Sequence, residues 1–199
     1  EAWFNYNLQK IADHSFRPHF DATSHQNPEL QNRGAEFFGL EFCFNSACMI
    51  DVSNSLRAME FNGLKYLVEV KREDLEPFSG ILAKKSAVLI RTGYDRWIEA
   101  NMPISSKVLP HLSREAGDFL AEFKNLKVIG TDSLTVDAYG IRYVHRKLKE
   151  KMIVESLVHL YEIPEDSRKN FYLQTSPLRI VSASGGPVIA YEFVKNHTL

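Results

Sequence analysis

The stretch HSFRPHFDATSH, residues 14 to 25, decides how the rest of the chain is read. Its twelve residues hold His14, His19 and His25, three of the chain's seven histidines, with Asp21 among them. In an extended segment alternate side chains share a face, so His19 and Asp21 project to one side. His25, four residues beyond Asp21, keeps the same parity if the chain stays extended. Neutral imidazole and carboxylate on one face suit zinc, manganese or iron, which accept mixed nitrogen and oxygen ligands. A solvated, histidine-rich loop is the plainer account of the same spacing.

Composition narrows the functional classes. With 199 residues and 44% apolar content, one domain over residues 1–199 can bury a full core without staples. The net charge is -1, which offers no basic surface for nucleic acid or for an anionic membrane. No apolar run approaches the roughly 18 residues of a spanning helix, and the opening EAWFNYNLQK lacks the layout of a secretory signal. Cys43 and Cys48 lie five apart, on opposite faces of a strand, and read as buried small hydrophobes. Two cysteines cannot make a four-cysteine zinc site, and they fit a reducing, cytoplasmic setting.

Outward from the histidine stretch, Trp3, Phe4 and Tyr6 suit a strand or packed arm over residues 1–13, while QNPELQNR at 26–33 reads as an exposed loop broken by Pro28. Ala47 to Val52 forms a buried strand, and a helix or turn over Arg72 to Glu76 ends at Pro77. The continuous apolar run AVLIR at 87–91, closed by Thr92 and Gly93, is the pattern of a strand buried on both faces. Residues 95–112 are a loop with a short helical piece, interrupted by Pro103 and Pro110, in which Trp97 is a packing residue. Ser113 caps a helix whose Ala116, Phe119, Leu120 and Phe123 repeat at helical spacing.

A strand at Lys127 to Gly130 leads into Thr131, Asp132 and Ser133, with Asp137 five residues past Asp132. A second helix runs from about Ile141 to Lys151, with Arg142, Arg146, Lys147, Lys149 and Lys151 forming a solvated basic face. It carries His145, and Glu155 closes the apolar run Met152 to Val154. A lone helical histidine is ordinarily structural, whereas an unpaired carboxylate at the end of a buried strand is costly. Tyr172 to Val181 and Pro187 to Val194 pair as strands across a Ser-Gly-Gly turn at 184–186. Alternating strands and helices give a mixed α/β architecture with a substantial sheet.

These segments together resemble the metal-dependent cyclase or kynurenine formamidase family, which includes arylformamidases and isatin hydrolases. Its hallmark is His-x-Gly-Thr-His-x-Asp-x-Pro-x-His, matched here at His19, Asp21 and His25. AVLIRTGYDRW is similar to the family's apolar strand ending in Arg-Thr-Gly, and LKVIGTDSLTVD to its Gly-x-Asp-x-x-x-x-Asp segment. His145 and Glu155 resemble its late metal ligands, and SPLRIVSASGGPVIAYEF its closing strand.

The resemblance implies a swivelling β/β/α domain with a mixed sheet and packed helices. It implies a divalent metal, zinc or manganese, held by His19 and Asp21, with Asp21 able to bridge to a second ion on His145 and Glu155. His25 would be the general acid/base. The implied activity is hydrolysis of a carbon-nitrogen bond in a small amide or cyclic amide, such as an aryl formamide, by a metal-activated water in a homo-oligomer. The chain departs from the family where Ser15 stands for the first histidine, Arg17-Pro18 for Gly-Thr, and Thr23 for Pro. It also has only eighteen residues ahead of His19. A relative that binds a small ligand or protein partner without turnover is the alternative. A serine hydrolase is disfavoured, since no Gly-x-Ser-x-Gly elbow occurs.

Overall fold

A strand covered on both faces must be apolar or internally paired at every position: Ala87 to Ile90 are buried and apolar, and the buried Arg91 that follows is ion-paired to Asp51 and Asp95. The computed structural model describes residues 18–193 apart from 26, 31–32, 103–107 and 179. In chain order the strands and helices are β1 (His19–Asp21), β2 (Phe44–Asp51), β3 (Met59–Phe61), β4 (Leu64–Tyr66), β5 (Glu69–Val70), α1 (Arg72–Leu75), α2 (Ser79–Leu82) and β6 (Ala87–Arg91). There follow α3 (Tyr94–Glu99), β7 (His111–Leu112), α4 (Arg114–Glu122), β8 (Val128–Thr131), α5 (Tyr143–Lys147), β9 (Met152–Glu155), β10 (Phe171–Pro177) and β11 (Gly185–Phe193).

The sheet is mixed and closes into a barrel of order β1-β11-β10-β2-β6-β8-β9. Strands β2, β6, β8 and β9 run parallel. Strands β10, β11 and β1 complete the circuit antiparallel, with β1 pairing to both β11 and β9. Strand alternation sorts the apolar residues into two layers. Phe20, Met49, Leu89, Val154, Leu173 and Val188 fill the barrel together with Phe38 and Phe42. Cys48, Ile50, Val88, Ile90, Ile129 and Ile153 face outward, beneath Ala116, Phe119 and Leu120 of α4 and Val144 of α5. His19 and Asp21 flank the inward Phe20, so they share the outward, helix-covered side with Ile153 and Glu155. The register pairs His19 with Glu155 and Asp21 with Ile153.

Strand ends are tied by buried polar groups. Asp132, at the end of β8, accepts hydrogen bonds from the Thr92 N–H at 2.9 Å, the Thr92 hydroxyl at 2.8 Å and the Gly93 N–H at 2.8 Å. Gly93 has a φ of 95°, and a Cβ there would collide with the Lys65 carbonyl, so the turn after β6 requires glycine. Burial, followed by the neighbouring Asp95 carboxylate, pushes the Asp132 pKa from 3.8 up to about 6, against the opposing effect of those hydrogen bonds. The folded chain therefore binds this proton more tightly than the unfolded chain. The resulting stabilisation is full below about pH 4 and is lost as pH rises through about 6, to the extent of roughly 3 kcal/mol. Chemical denaturation from pH 4 to 7 is expected to show that Asp132→Asn removes this trend. An unchanged slope in the variant would assign the trend to other groups.

Several sequence expectations need correction. The helix read over 141–151 is confined to Tyr143–Lys147. Lys151 does not belong to a solvated basic face: it is buried, and its ammonium donates to the Phe123 and Leu126 carbonyls, each at 2.8 Å. Gly185 and Gly186 lie inside β11 instead of in a turn, because a Cβ on Gly185 would stand 2.6 Å from the Phe20 carbonyl of β1. The strands β10 and β11 are joined by residues 178–184. Cys48 is buried as expected, whereas Cys43 is half-buried; neither is in a disulfide. Trp97 packs with Tyr66 and Tyr94, as its reading as a packing residue requires. No helix among the described residues is long and apolar enough to cross a membrane. The arm at 1–13, together with His14, Ser15, Arg17, Pro103 and Val194, lies outside the described residues.

Candidate active site

The structure brings His19, Asp21, His25, His145 and Glu155 together at the seam between β1 and β9. The antiparallel register sets His19 directly across from Glu155, with His19 Nε2 3.2 Å from Glu155 Oε2. Asp21 Oδ2 lies 2.9 Å from His145 Nε2, which stands 3.4 Å from Glu155 Oε1. His25 reaches the cluster by a route that parity does not describe. β1 ends at Asp21, and the chain turns so that the His25 N–H donates to the Ala22 carbonyl at 2.8 Å. The turn leaves His25 Nε2 3.8 Å from Asp21 Oδ2, with its ring 5.5 Å from that of His145.

Exposure differs among the five. The side chains of His19, Asp21, His145 and Glu155 are almost fully buried, whereas that of His25 is 18% exposed and forms the open side of the cluster. Two loop residues hold the cluster in place. The Val136 N–H donates to Glu155 Oε1 at 2.7 Å, and Asp137 Oδ2 lies 2.7 Å from His145 Nδ1. Ser156, directly after Glu155, adopts a left-handed φ of 58°, and its N–H donates to the Ser133 carbonyl at 2.7 Å. Such conformations in a residue other than glycine persist where surroundings enforce them, commonly at functional sites.

The electrostatics are those of a crowded, buried cluster. Burial opposes a charge on His145, but hydrogen bonds to Asp137, Asp21 and Glu155 overcome that penalty and raise its pKa. For Glu155 burial works in the other direction, and the hydrogen bonds from His145 and His19 outweigh it and lower its pKa. The carboxylates thus favour a positive charge in their midst, which a protonated imidazole or a divalent cation can supply.

The donor set fits such a cation. Two triplets, His19, Asp21 and Glu155, and Asp21, His25 and His145, each offer ligand atoms within 4.8 Å of one another. Asp21 is common to both. Its Oδ1 is buried and accepts no hydrogen bond, a costly state for a carboxylate oxygen unless something electropositive meets it. Nitrogen and oxygen donors at these spacings suit zinc or manganese. Of the residues that position the cluster, Asp137 was visible in the sequence only as the second acid of TDSLTVD, and Val136 contributes through its backbone.

Comparison with known proteins bears on the family and the fold. The Cyclase family model, described as "Putative cyclase", matches residues 3–138, which include His19, Asp21 and His25; His145 and Glu155 lie beyond it. An uncharacterized protein of Haemophilus influenzae is 27% identical over 128 residues, covering 64% of this chain and 82% of that protein. Isatin hydrolase A from Labrenzia aggregata, solved with benzyl benzoate bound, superposes with a TM-score of 0.68 at 23% identity, over 89% of this chain and 73% of its own. A structure described as a potential metal-dependent hydrolase with cyclase activity gives a TM-score of 0.67 at 16% identity, over 92% and 81% of the two chains. At these identities the structural likeness speaks for the fold. The family match covers more than half of the sequence, and the chain belongs to the Cyclase family.

Proposed function

We propose that the protein is a metal-dependent hydrolase of a small amide or cyclic amide, with aryl formamides and isatin-like rings as the first candidates. The observation that carries this reading is Asp21, whose buried Oδ1 accepts no hydrogen bond, with His19 Nε2 4.0 Å away, and belongs to a carboxylate shared by two overlapping sets of metal-type ligands. When bound, a zinc or manganese ion supplies Lewis acidity toward a carbonyl and makes water nucleophilic near neutral pH. His19, Asp21 and Glu155 would hold one ion, and His145 with Asp21 could contribute to a second. His25 stands at the open side of the cluster, where its imidazole can protonate a departing amine. The buried ligands on β1 and β9 keep bulk water from the inner side, which strengthens their electrostatic interactions.

Assembly of two or more copies is part of the same reading. The outer face of β10 and β11 leaves Tyr172, Ile189, Tyr191 and Phe193 about half exposed, with Phe44 of β2 stacked on Tyr172, an apolar surface that a second copy could cover.

The test is metal content per chain after purification without chelator, followed by turnover of aryl formamides and cyclic amides. Near-stoichiometric metal, and hydrolysis lost on chelation and restored by zinc or manganese, are expected. Folded protein that takes up neither ion would refute the metal reading. Metal retained without turnover of either substrate class would favour the alternative, a relative that binds without catalysis. The replacement of the family's first histidine by Ser15 is what keeps that alternative in view.

A further inference from the structure

We propose that Asp137 is a positioning residue that aims His145 at the metal; this inference rests on the metal reading above. Asp137 belongs to neither ligand triplet. Both of its oxygens are committed elsewhere: Oδ1 accepts the Val144 N–H at 2.8 Å, and Oδ2 accepts the His145 N–H at 3.1 Å while lying 2.7 Å from His145 Nδ1. One carboxylate therefore grips the backbone and the ring of the same histidine.

The chemical consequence lies in the imidazole. A neutral imidazole has one N–H and one lone pair, and a carboxylate can only accept. The Asp137 oxygens already receive the Val144 and His145 N–H groups, so Asp137 meets the ring of His145 as an acceptor. Asp137 thus requires the proton of the neutral ring to sit on Nδ1. The lone pair of Nε2 is then directed into the space bounded by Asp21 Oδ2 and Glu155 Oε1. The adjacent Val136 N–H fixes Glu155, so residues 136 and 137 together set a ligand from α5 and a ligand from β9. Carboxylates behind metal-bound histidines commonly change metal affinity 10–100-fold when removed.

The experiment is zinc affinity by competition with a chromogenic chelator, on full-length protein, for wild type, Asp137→Ala, Asp137→Asn, His145→Ala and the Asp137→Ala/His145→Ala double variant. Thermal melts of each variant confirm folding. Asp137→Ala should weaken zinc binding by about 10–100-fold. Asp137→Asn should fall between it and wild type, because the amide oxygen still accepts the Nδ1–H. In the His145→Ala background the further loss of Asp137 should change affinity by less than about twofold, since the two act through one ring. Equal weakening by Asp137→Ala in both backgrounds, or no weakening in either, overturns the proposal while leaving the metal reading intact. Wild-type protein that binds no zinc overturns both. If the alanine variant fails to fold, the comparison of Asp137→Asn with and without His145 carries the same decision.

Discussion

Asp21→Asn is expected to remove metal and hydrolytic turnover together. The substitution keeps the shape of the side chain and removes its charge at the one position common to both ligand triplets. It also places an amide where Oδ1 is now buried without a donor and Oδ2 lies 2.9 Å from His145 Nε2. Whichever way the amide is turned, its NH2 group meets either a metal or an imidazole nitrogen. A divalent ion stabilises charge in the transition state by several kcal/mol, so its loss should lower turnover by about 10²–10⁴-fold or more. Elemental analysis and turnover on one preparation check this. A variant that keeps full metal would show that Asp21 is not a ligand, and its buried carboxylate would then need another partner.

His25→Ala should behave differently. His25 has the most exposed side chain of the five, and its Nε2 stands 3.8 Å from Asp21, the longest closest approach to a carboxylate in the cluster. As a general acid/base it contributes to proton transfer, and its removal should cost about 10²–10⁴-fold in turnover. The triplet of His19, Asp21 and Glu155 remains complete without it, so metal content should hold near the wild-type value. Metal and turnover falling in parallel would instead make His25 a ligand through the triplet it shares with Asp21 and His145. The contrast between Asp21→Asn and His25→Ala therefore separates holding the ion from moving the proton.

Much of this arrangement could be read from the chain, for reasons that differ by element. Strand β6 was legible because burial on both faces forces an unbroken apolar run, and α4 because Ser113 supplies its cap, with the hydroxyl accepting from the Ala116 N–H at 3.2 Å. His19 and Asp21 were legible because strand parity is local. Parity brings His25 beside Asp21 only if the chain stays extended; the structure brings it there by a turn instead. The glycines at 185 and 186 have the composition of a turn but serve close strand approach, a tertiary demand that a local pattern cannot express. Burial of Lys151 is out of local reach for a similar reason: the carbonyls it satisfies lie 25 and 28 residues away. Closure of the barrel was out of reach, because it depends on a three-residue strand pairing on both sides.

That three-residue strand gives the site a second meaning. β1 is the clasp of the barrel, joined to β11 by one short ladder and to β9 by another. Short ladders are where native proteins open locally at the smallest cost. His19 and Asp21 sit on the clasp and Glu155 on the strand beside it, so an ion gripping all three would cross-link the hoop where it is thinnest. Affinity for the ion and resistance of the barrel to opening would then become one linked quantity, and the corner that gathers the metal-type ligands is also the latch.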